Sequence, residues 1–420
     1  MSQKLALTLT TVMSLGVAVP VAAEGLALGG RVTMVSQTVN QASVADGNPV
    51  TNRIDITAEL PVAMTSRAEG KLFAHIRAGN GAPAENNAFA TSNAANFDFP
   101  GAVLLQAWYQ LDIVTGAEGN KVELTAGKID PFGFFDGNAL SDDETAGFLN
   151  LAFVHNPLLD AGGDVQPGVH GASPGVRLAY VSEFKRGHLT ISAGAFAPDG
   201  NGEQFDTLFE QPLLMTQIEY AGPALAEKEG AYRLYGWNNR NQQHRGWGAS
   251  ADQAVSSHVG MFARYGRRTQ GSGAFNTAWT LGAQVNGAPW GRASDRLGLA
   301  YGVLKATAGG SEKITELFYA LQVNSVLQLT PSRQQISDAS ALRGTDRTVL
   351  QPARHGGFLV RKRRVIAPKK PPHDPPRDGY QWSRQSHDRG GTVPVPTRYA
   401  WISGAGYIKS QHHGRRGVRR

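Results

Sequence analysis

The stretch Arg53-Ile54-Asp55-Ile56-Thr57-Ala58-Glu59-Leu60 alternates without a break. Ile54, Ile56, Ala58 and Leu60 occupy one face, and Arg53, Asp55, Thr57 and Glu59 the other. Successive side chains of a strand point to opposite faces, so this period of two predicts a strand with one apolar and one polar side. Residues 71–78 repeat it, with Leu72, Ala74, Ile76 and Ala78 opposite Lys71, Phe73, His75 and Arg77. Residues 103–113 set Val103, Leu105, Ala107, Tyr109, Leu111 and Ile113 against Gln106, Trp108, Gln110 and Asp112, and residues 121–126 alternate again. Less regular segments start near Leu26, Ser173, His188, Leu213, Ala231, Ser257, Asn276, Arg296, Lys313 and Ser325, which brings the expected number of strands to about 14. Gly, Asn, Asp and Pro clusters separate them.

A soluble sandwich would alternate too. Its strands, however, have a usual length of about 5–6 residues, whereas strands of about 8–11 residues, tilted, match the roughly 25 Å apolar band of a membrane barrel. Opposite charges on the polar faces, such as Arg53 with Asp55 and Lys121 with Glu123, suit a wet interior. After Val19 no run of 18 apolar residues occurs, which excludes helical membrane spans but not a barrel. The expected fold is an all-β transmembrane antiparallel barrel, with a soluble all-β domain as the alternative.

The net charge of +7 hides two populations. From Ser337 onward 18 basic side chains face five acidic ones, so the tail carries +13 and residues 1–336 carry −6. The head of the chain reads as a cleavable export signal: Lys4, an apolar stretch from Leu5 to Val19, then Val21-Ala22-Ala23 before Glu24. There is no cysteine, so stability rests on packing and hydrogen bonds. The expected organisation is a signal peptide over 1–23, a barrel domain over 24–336 and a basic tail rich in Pro, Arg and His over 337–420.

Ser141-Asp142-Asp143-Glu144 is the densest acidic cluster. Ser141 and Glu144 have capping-box spacing, which predicts a short helix from Ser141 to Phe153, stopped by Asn156-Pro157. Calcium binding by the three carboxylates is the competing reading. His75, His155, His170, His188, His244 and His258 have no metal-ligand spacing, and Ser173-Pro174-Gly175 and Gly271-Ser272-Gly273 have no nucleophile-elbow pattern. No cofactor, metal site or catalytic group is expected.

The stretch GKIDPFGFFDGNALSDDETAGFLNLAFVHNPLLD (Gly127 to Asp160) closely resembles the characteristic segment of the OprB-type carbohydrate-selective porins. SPGVRLAY (Ser173 to Tyr180), DRLGLAYG (Asp295 to Gly302) and ELFYALQVNSVLQLTP (Glu316 to Pro331) resemble that family in the expected order, so the likeness covers about Gly25 to Pro331. It implies a 16-stranded outer-membrane barrel through which sugars and other small solutes diffuse into the periplasm. Members of the family end in a last pair of strands and an aromatic residue; here the text turns Arg-, Pro- and His-rich. The run FLVRKRRVIAPKKPPHDPPRDG (Phe358 to Gly379) is most simply read as a shifted reading frame, with a lipopolysaccharide-binding tail as the alternative and nucleic acid disfavoured by export.

Under this reading the expected lining of the sugar path is Arg53, Asp55, Glu59, Lys71, His75, Arg77, Gln106, Trp108, Gln110, Asp112, Lys121 and Glu123, with Arg77, Trp108 and Asp112 near a constriction. Polar groups there would exchange hydrogen bonds with sugar hydroxyls while aromatics cover C–H faces. The expected partners are small sugars, outer-membrane lipid and lipopolysaccharide. Porins of this size often form homotrimers, although no pattern here signals one. A sealed barrel serving adhesion or envelope integrity is the second reading, and an outer-membrane barrel enzyme the third.

Overall fold

A computed structural model of the chain describes residues 10–19, 25–40, 49–82, 89–116, 119–160, 171–198, 210–338 and 347–350. The strands are β1 (Thr10–Val19), β2 (Ala27–Ser36), β3 (Thr38–Asn40), β4 (Val50–Thr65), β5 (Ala68–Asn80), β6 (Val103–Val114), β7 (Lys121–Ile129), β8 (Ser173–Phe184) and β9 (Gly187–Phe196). They continue with β10 (Leu213–Pro223), β11 (Glu229–Asn239), β12 (His244–Ala254), β13 (Val259–Gln270), β14 (Phe275–Asn286), β15 (Arg296–Ala306), β16 (Ser311–Gln322), β17 (Leu327–Ser337) and β18 (Arg347–Leu350).

Every pairing is antiparallel. β2 pairs with β4, and from β4 to β17 each strand pairs with the next. The sheet closes into a 16-position barrel. Fifteen positions are single long strands between Ala27 and Ser337, one more than the sequence pattern suggests. The extra one is β12: its outward residues Arg245, Trp247, Ala249 and Ala251 oppose His244, Gly246, Gly248 and Ser250, so an outward arginine and inward glycines leave no apolar–polar alternation to read. The segment near Ser325 is therefore followed by one further barrel position, not by a missing pair.

That last position is shared. β17 pairs through Gln334–Ile336 with β18 and through Leu327–Ser332 with β1, and on the other side β18 meets β3 while β1 meets β2. The apolar stretch expected to be the core of a removable leader thus stands in the sheet. Residues 351–420, including the Phe358–Gly379 run, lie outside the described residues.

The barrel is apolar outside and polar inside. Ile56, Leu178 and Leu234 on the outer face are 50%, 54% and 55% exposed, whereas Glu123, Arg264 and Glu316 on the inner face are 2%, 2% and 0% exposed. A soluble sandwich buries the opposite set, so this polarity decides between the two folds. Parity holds over residues 53–60 of β4 and 71–78 of β5 but slips in β6. A β-bulge between His75 and Ile76 places Gln106 opposite His75 and Leu104 opposite Ile76. Leu105, expected on the lipid face with Val103, is buried at 3% exposure, and Leu104 takes the outer position at 49%.

The main apolar core lies inside the barrel, where residues 129–160 fold back against the inner faces of β9 to β17. Phe132, Phe135, Leu140, Phe148, Phe153, Leu158 and Leu159 pack there against Phe196, Met215, Trp237, Phe262, Phe275 and Phe318. The expected Ser141–Phe153 helix is absent. Two single-turn helices form instead: α1 (Leu151–Val154), capped by the Asn150 side chain, and α2 (Pro157–Asp160), where Asn156 Oδ1 accepts from Leu158 N at 3.1 Å. Asn156-Pro157 therefore starts a helix. The acids at 142–144 are diverted from capping by arginines of the barrel wall.

Candidate functional site: the barrel interior

The inner faces of β4 to β8 carry a continuous array of paired charges. Asp55 is its hub, accepting from Arg53 Nε at 2.8 Å and Arg77 Nε at 2.6 Å, with His75 Nε2 at 2.8 Å. Glu59 meets Lys71 at 3.6 Å. Farther round, Gln110 donates to Asp112 at 2.8 Å, Lys121 contacts Asp112 at 2.8 Å and Glu123 at 2.7 Å, and Arg177 donates to Glu123 at 2.9 Å. Strand parity puts these groups on one side, and antiparallel register places opposite charges side by side.

Between the two charge groups lies an aromatic platform. Trp108 stacks on Phe73 with ring centroids 4.8 Å apart and 23° between planes, and Phe134 meets its edge at 5.8 Å. The Lys71 ammonium lies 5.4 Å from the Trp108 ring and the Arg177 guanidinium 4.9 Å from the Phe134 ring, both within cation–π range. Trp108 Nε1 donates to Gln106 Oε1 at 3.1 Å. All twelve residues singled out from the sequence thus sit on one inner wall.

Facing that wall, residues 130–160 form a strap. Three consecutive acids leave it toward three different arginines: Asp142 to Arg264 on β13, Asp143 to Arg31 on β2 at 3.0 Å, and Glu144 to Arg53 on β4 at 2.6 Å. These acids are therefore engaged across the barrel rather than gathered around a cation. Arg264 is the most heavily bonded anchor. It contacts Asp136 at 3.1 Å and donates to Ser141 Oγ and Phe153 O at 2.6 Å each. Tyr235 Oη donates to Asp136 at 2.6 Å. Glu316 receives Leu149 N and Asn150 N at 2.9 Å each, and Arg296 donates to Ala146 O at 2.7 Å.

On the strap, burial raises the Asp143 carboxyl, but the Arg31 charge and the Thr145 bonds outweigh it and hold the group below the usual carboxylate range. Burial, reinforced by the Arg264 charge, pushes His155 down to about 3, so its ring is neutral where it stacks 4.9 Å from Phe132.

Sequence reasoning did not select Arg31, Phe134, Arg177, Arg264, Arg296 or Glu316. Arg177 was legible in principle, because it lies two positions beyond Gly175 on a strand whose outer face is Val176, Leu178 and Tyr180. The anchors on β13 and β16 carry no local signal; their partners are more than 100 residues away.

Residues 226–350 match the family model for carbohydrate-selective porins of the OprB family, a match that runs past the expected boundary at 336. No curated protein matches the sequence. Among solved structures, the high-pH structure of Pseudomonas putida OprB is similar with a TM-score of 0.60 and 14% identity over 82% of this chain and 91% of that one. The low-pH structure of the same protein gives 0.45 at 14% identity over 81% and 89%, and a mutant Rh. blastica porin gives 0.45 at 10% identity over 81% and 96%. The family match over residues 226–350 and the fold shared over most of the chain support the OprB-type carbohydrate-selective porins as the family that this protein resembles.

Proposed function

We propose that the protein is an outer-membrane porin through which sugars and other small hydrophilic solutes diffuse passively into the periplasm. The observation that carries this reading is the Phe73–Trp108 platform set between two charge-paired groups and faced by the acidic strap. A pyranose has C–H faces that suit stacked rings and a rim of hydroxyls that suit paired carboxylates and guanidiniums. Each wall charge is already neutralised by a neighbour, which keeps single-solute binding weak and exit fast. No covalent chemistry is invoked. Liposomes carrying the full chain should swell in neutral monosaccharides, and Trp108→Ala should slow sugar entry severalfold more than entry of a non-sugar solute of equal size. Equal slowing of both would remove the stacking role. Absence of swelling with every solute would favour a sealed barrel, a reading supported by the apolar packing of residues 129–160 over much of the interior.

A further inference from the structure

Between β4 and β17 the long connections, residues 81–102, 130–172 and 197–212, all leave from one end of the barrel, and those at the other end run no longer than 287–295. Outer-membrane barrels have short periplasmic turns and longer loops outside, so the first end is the exterior one. There the outward faces of β12, β13 and β15 present Arg245, Arg267 and Lys305, all exposed. Thr277 on β14 joins Arg267 to Lys305 in register, and Trp247, two positions from Arg245, is paired with Arg267. We propose that this row binds the phosphorylated sugar headgroup of lipopolysaccharide in the outer leaflet. The proposal rests on the outer-membrane placement of the barrel and not on what passes through it.

The charge is one-sided. Toward the periplasmic end the same outer faces finish in Ala251, Met261, Val285 and Leu297, none of them charged. It is also unmatched: among the described residues none of the three cations forms an ion pair, whereas Lys313, next along on β16, already meets Asp338 at 3.4 Å. Just below the row lie two aromatic pairs, Trp247 with Tyr265 at 5.2 Å and Trp279 with Tyr301 at 5.6 Å between ring centroids. Such amphipathic rings settle at the level of the headgroups, which puts the cations beside the headgroup phosphates. Farther down, Met261, Leu281 and Leu299 are exposed on the same faces and offer apolar surface to acyl chains. From β12 to β15 the row crosses three strand intervals, about 14 Å. One phosphate cannot touch all three side chains over that span; a headgroup phosphorylated at more than one place can, with each guanidinium offering a fork of donors.

The test is binding of fluorescent lipopolysaccharide to the folded full chain in detergent, read by anisotropy, with heat modifiability as the check on folding. Wild type should bind the phosphorylated lipid far more tightly than the same lipid dephosphorylated, a comparison that needs no variant. Arg245→Gln, Arg267→Gln and Lys305→Gln together should weaken binding by about a hundredfold. Lys185→Gln, Arg186→Gln and Lys228→Gln together remove the same charge from the periplasmic turns and should leave binding as in wild type. Inorganic phosphate should not displace the lipid. Four results would overturn the proposal: equal binding of the two lipid forms, equal losses in both triple variants, displacement by inorganic phosphate, or undiminished binding in the first triple variant, which would move the site to the basic tail. Sugar-driven liposome swelling, measured separately, should be the same in the first triple variant and wild type, so failure of the pore reading leaves this test standing.

Discussion

Replacing Arg264 by methionine would withdraw the strap's strongest anchor while filling most of the space. The guanidinium is 2% exposed and contacts Asp136, Asp142, Ser141 Oγ and Phe153 O. Breaking a buried ion pair by removing one partner costs about 3–5 kcal/mol, because the remaining carboxylates stay desolvated without a counter-charge. Loss of the bonds to Ser141 and Phe153 adds about 1 kcal/mol each. Docking of residues 136–153 should therefore weaken by about 5–7 kcal/mol, enough to release the middle of the strap while Glu316 still holds Leu149 and Asn150. Two assays read this. Single-channel conductance in planar bilayers should rise and become noisier. Cleavage by a protease specific for large apolar residues should appear between Phe132 and Phe153; trypsin would miss it, because residues 129–176 contain no lysine or arginine. Arg264→Lys should fall between wild type and Arg264→Met. Adding Asp142→Asn to Arg264→Met should restore part of the protection by removing one uncompensated carboxylate. Wild-type conductance and full protease protection in Arg264→Met would refute the anchoring argument.

Ile56→Arg, at mid-strand on the outer face of β4, should weaken assembly by about 2–4 kcal/mol, read as a lower urea midpoint for the heat-modifiable form. Because of the bulge in β6, Leu104→Arg should assemble worse than Gln106→Arg; equal assembly would mean that the register slip is absent. Asp55→Asn leaves Arg77 without its carboxylate partner and Arg53 with Glu144 alone, so the reversal potential in a salt gradient should move toward anion selectivity, and an unchanged value would count against the hub. Acid should withdraw the contributions of two strap groups. His155, held near 3 against about 6.5 in an unfolded chain, contributes stability present above about pH 6.5 and lost as pH falls toward 3, and Asp143, with a depressed value, contributes stability lost below about pH 4. Asp142, pushed up to about 7 by burial, works in the opposite sense, so the readout is a difference between chains: between about pH 6.5 and 4 the wild type should lose protection relative to His155→Phe, and identical pH profiles would count against a neutral buried His155.

Period-two alternation made most of the barrel and its inner wall legible, because a strand with lipid on one side and water on the other must write both environments into its sequence. Arg53, Asp55, His75 and Arg77 could be placed inward from parity alone. What failed were the positions where tertiary packing replaces that contrast. Gly246 and Gly248 leave room for Trp237, Tyr235 and Asn156, so β12 carries little pattern of its own. The bulge at Leu105 depends on the register with β5 and leaves no mark in β6. Asp142, Asp143 and Glu144 have the spacing of a helix start, and only the arrival of Arg264, Arg31 and Arg53 from distant strands makes them straps instead of caps.

The span of the strap's anchors sets an order of events during biogenesis. Asp136 waits for Arg264, 128 residues later, Leu149 for Glu316, 167 residues later, and Asn150 for Gln334, 184 residues later. A chain delivered from its amino end therefore exposes Phe132, Phe135, Phe148 and Phe153 to water, or to a holding chaperone, until the strands that receive them have paired. Contacts of such separation form late and add little to the rate at which the sheet nucleates. Docking of the strap is thus the molecule's own signal that its wall is complete, and protection of those phenylalanines would time the end of assembly more faithfully than any measure of strand content.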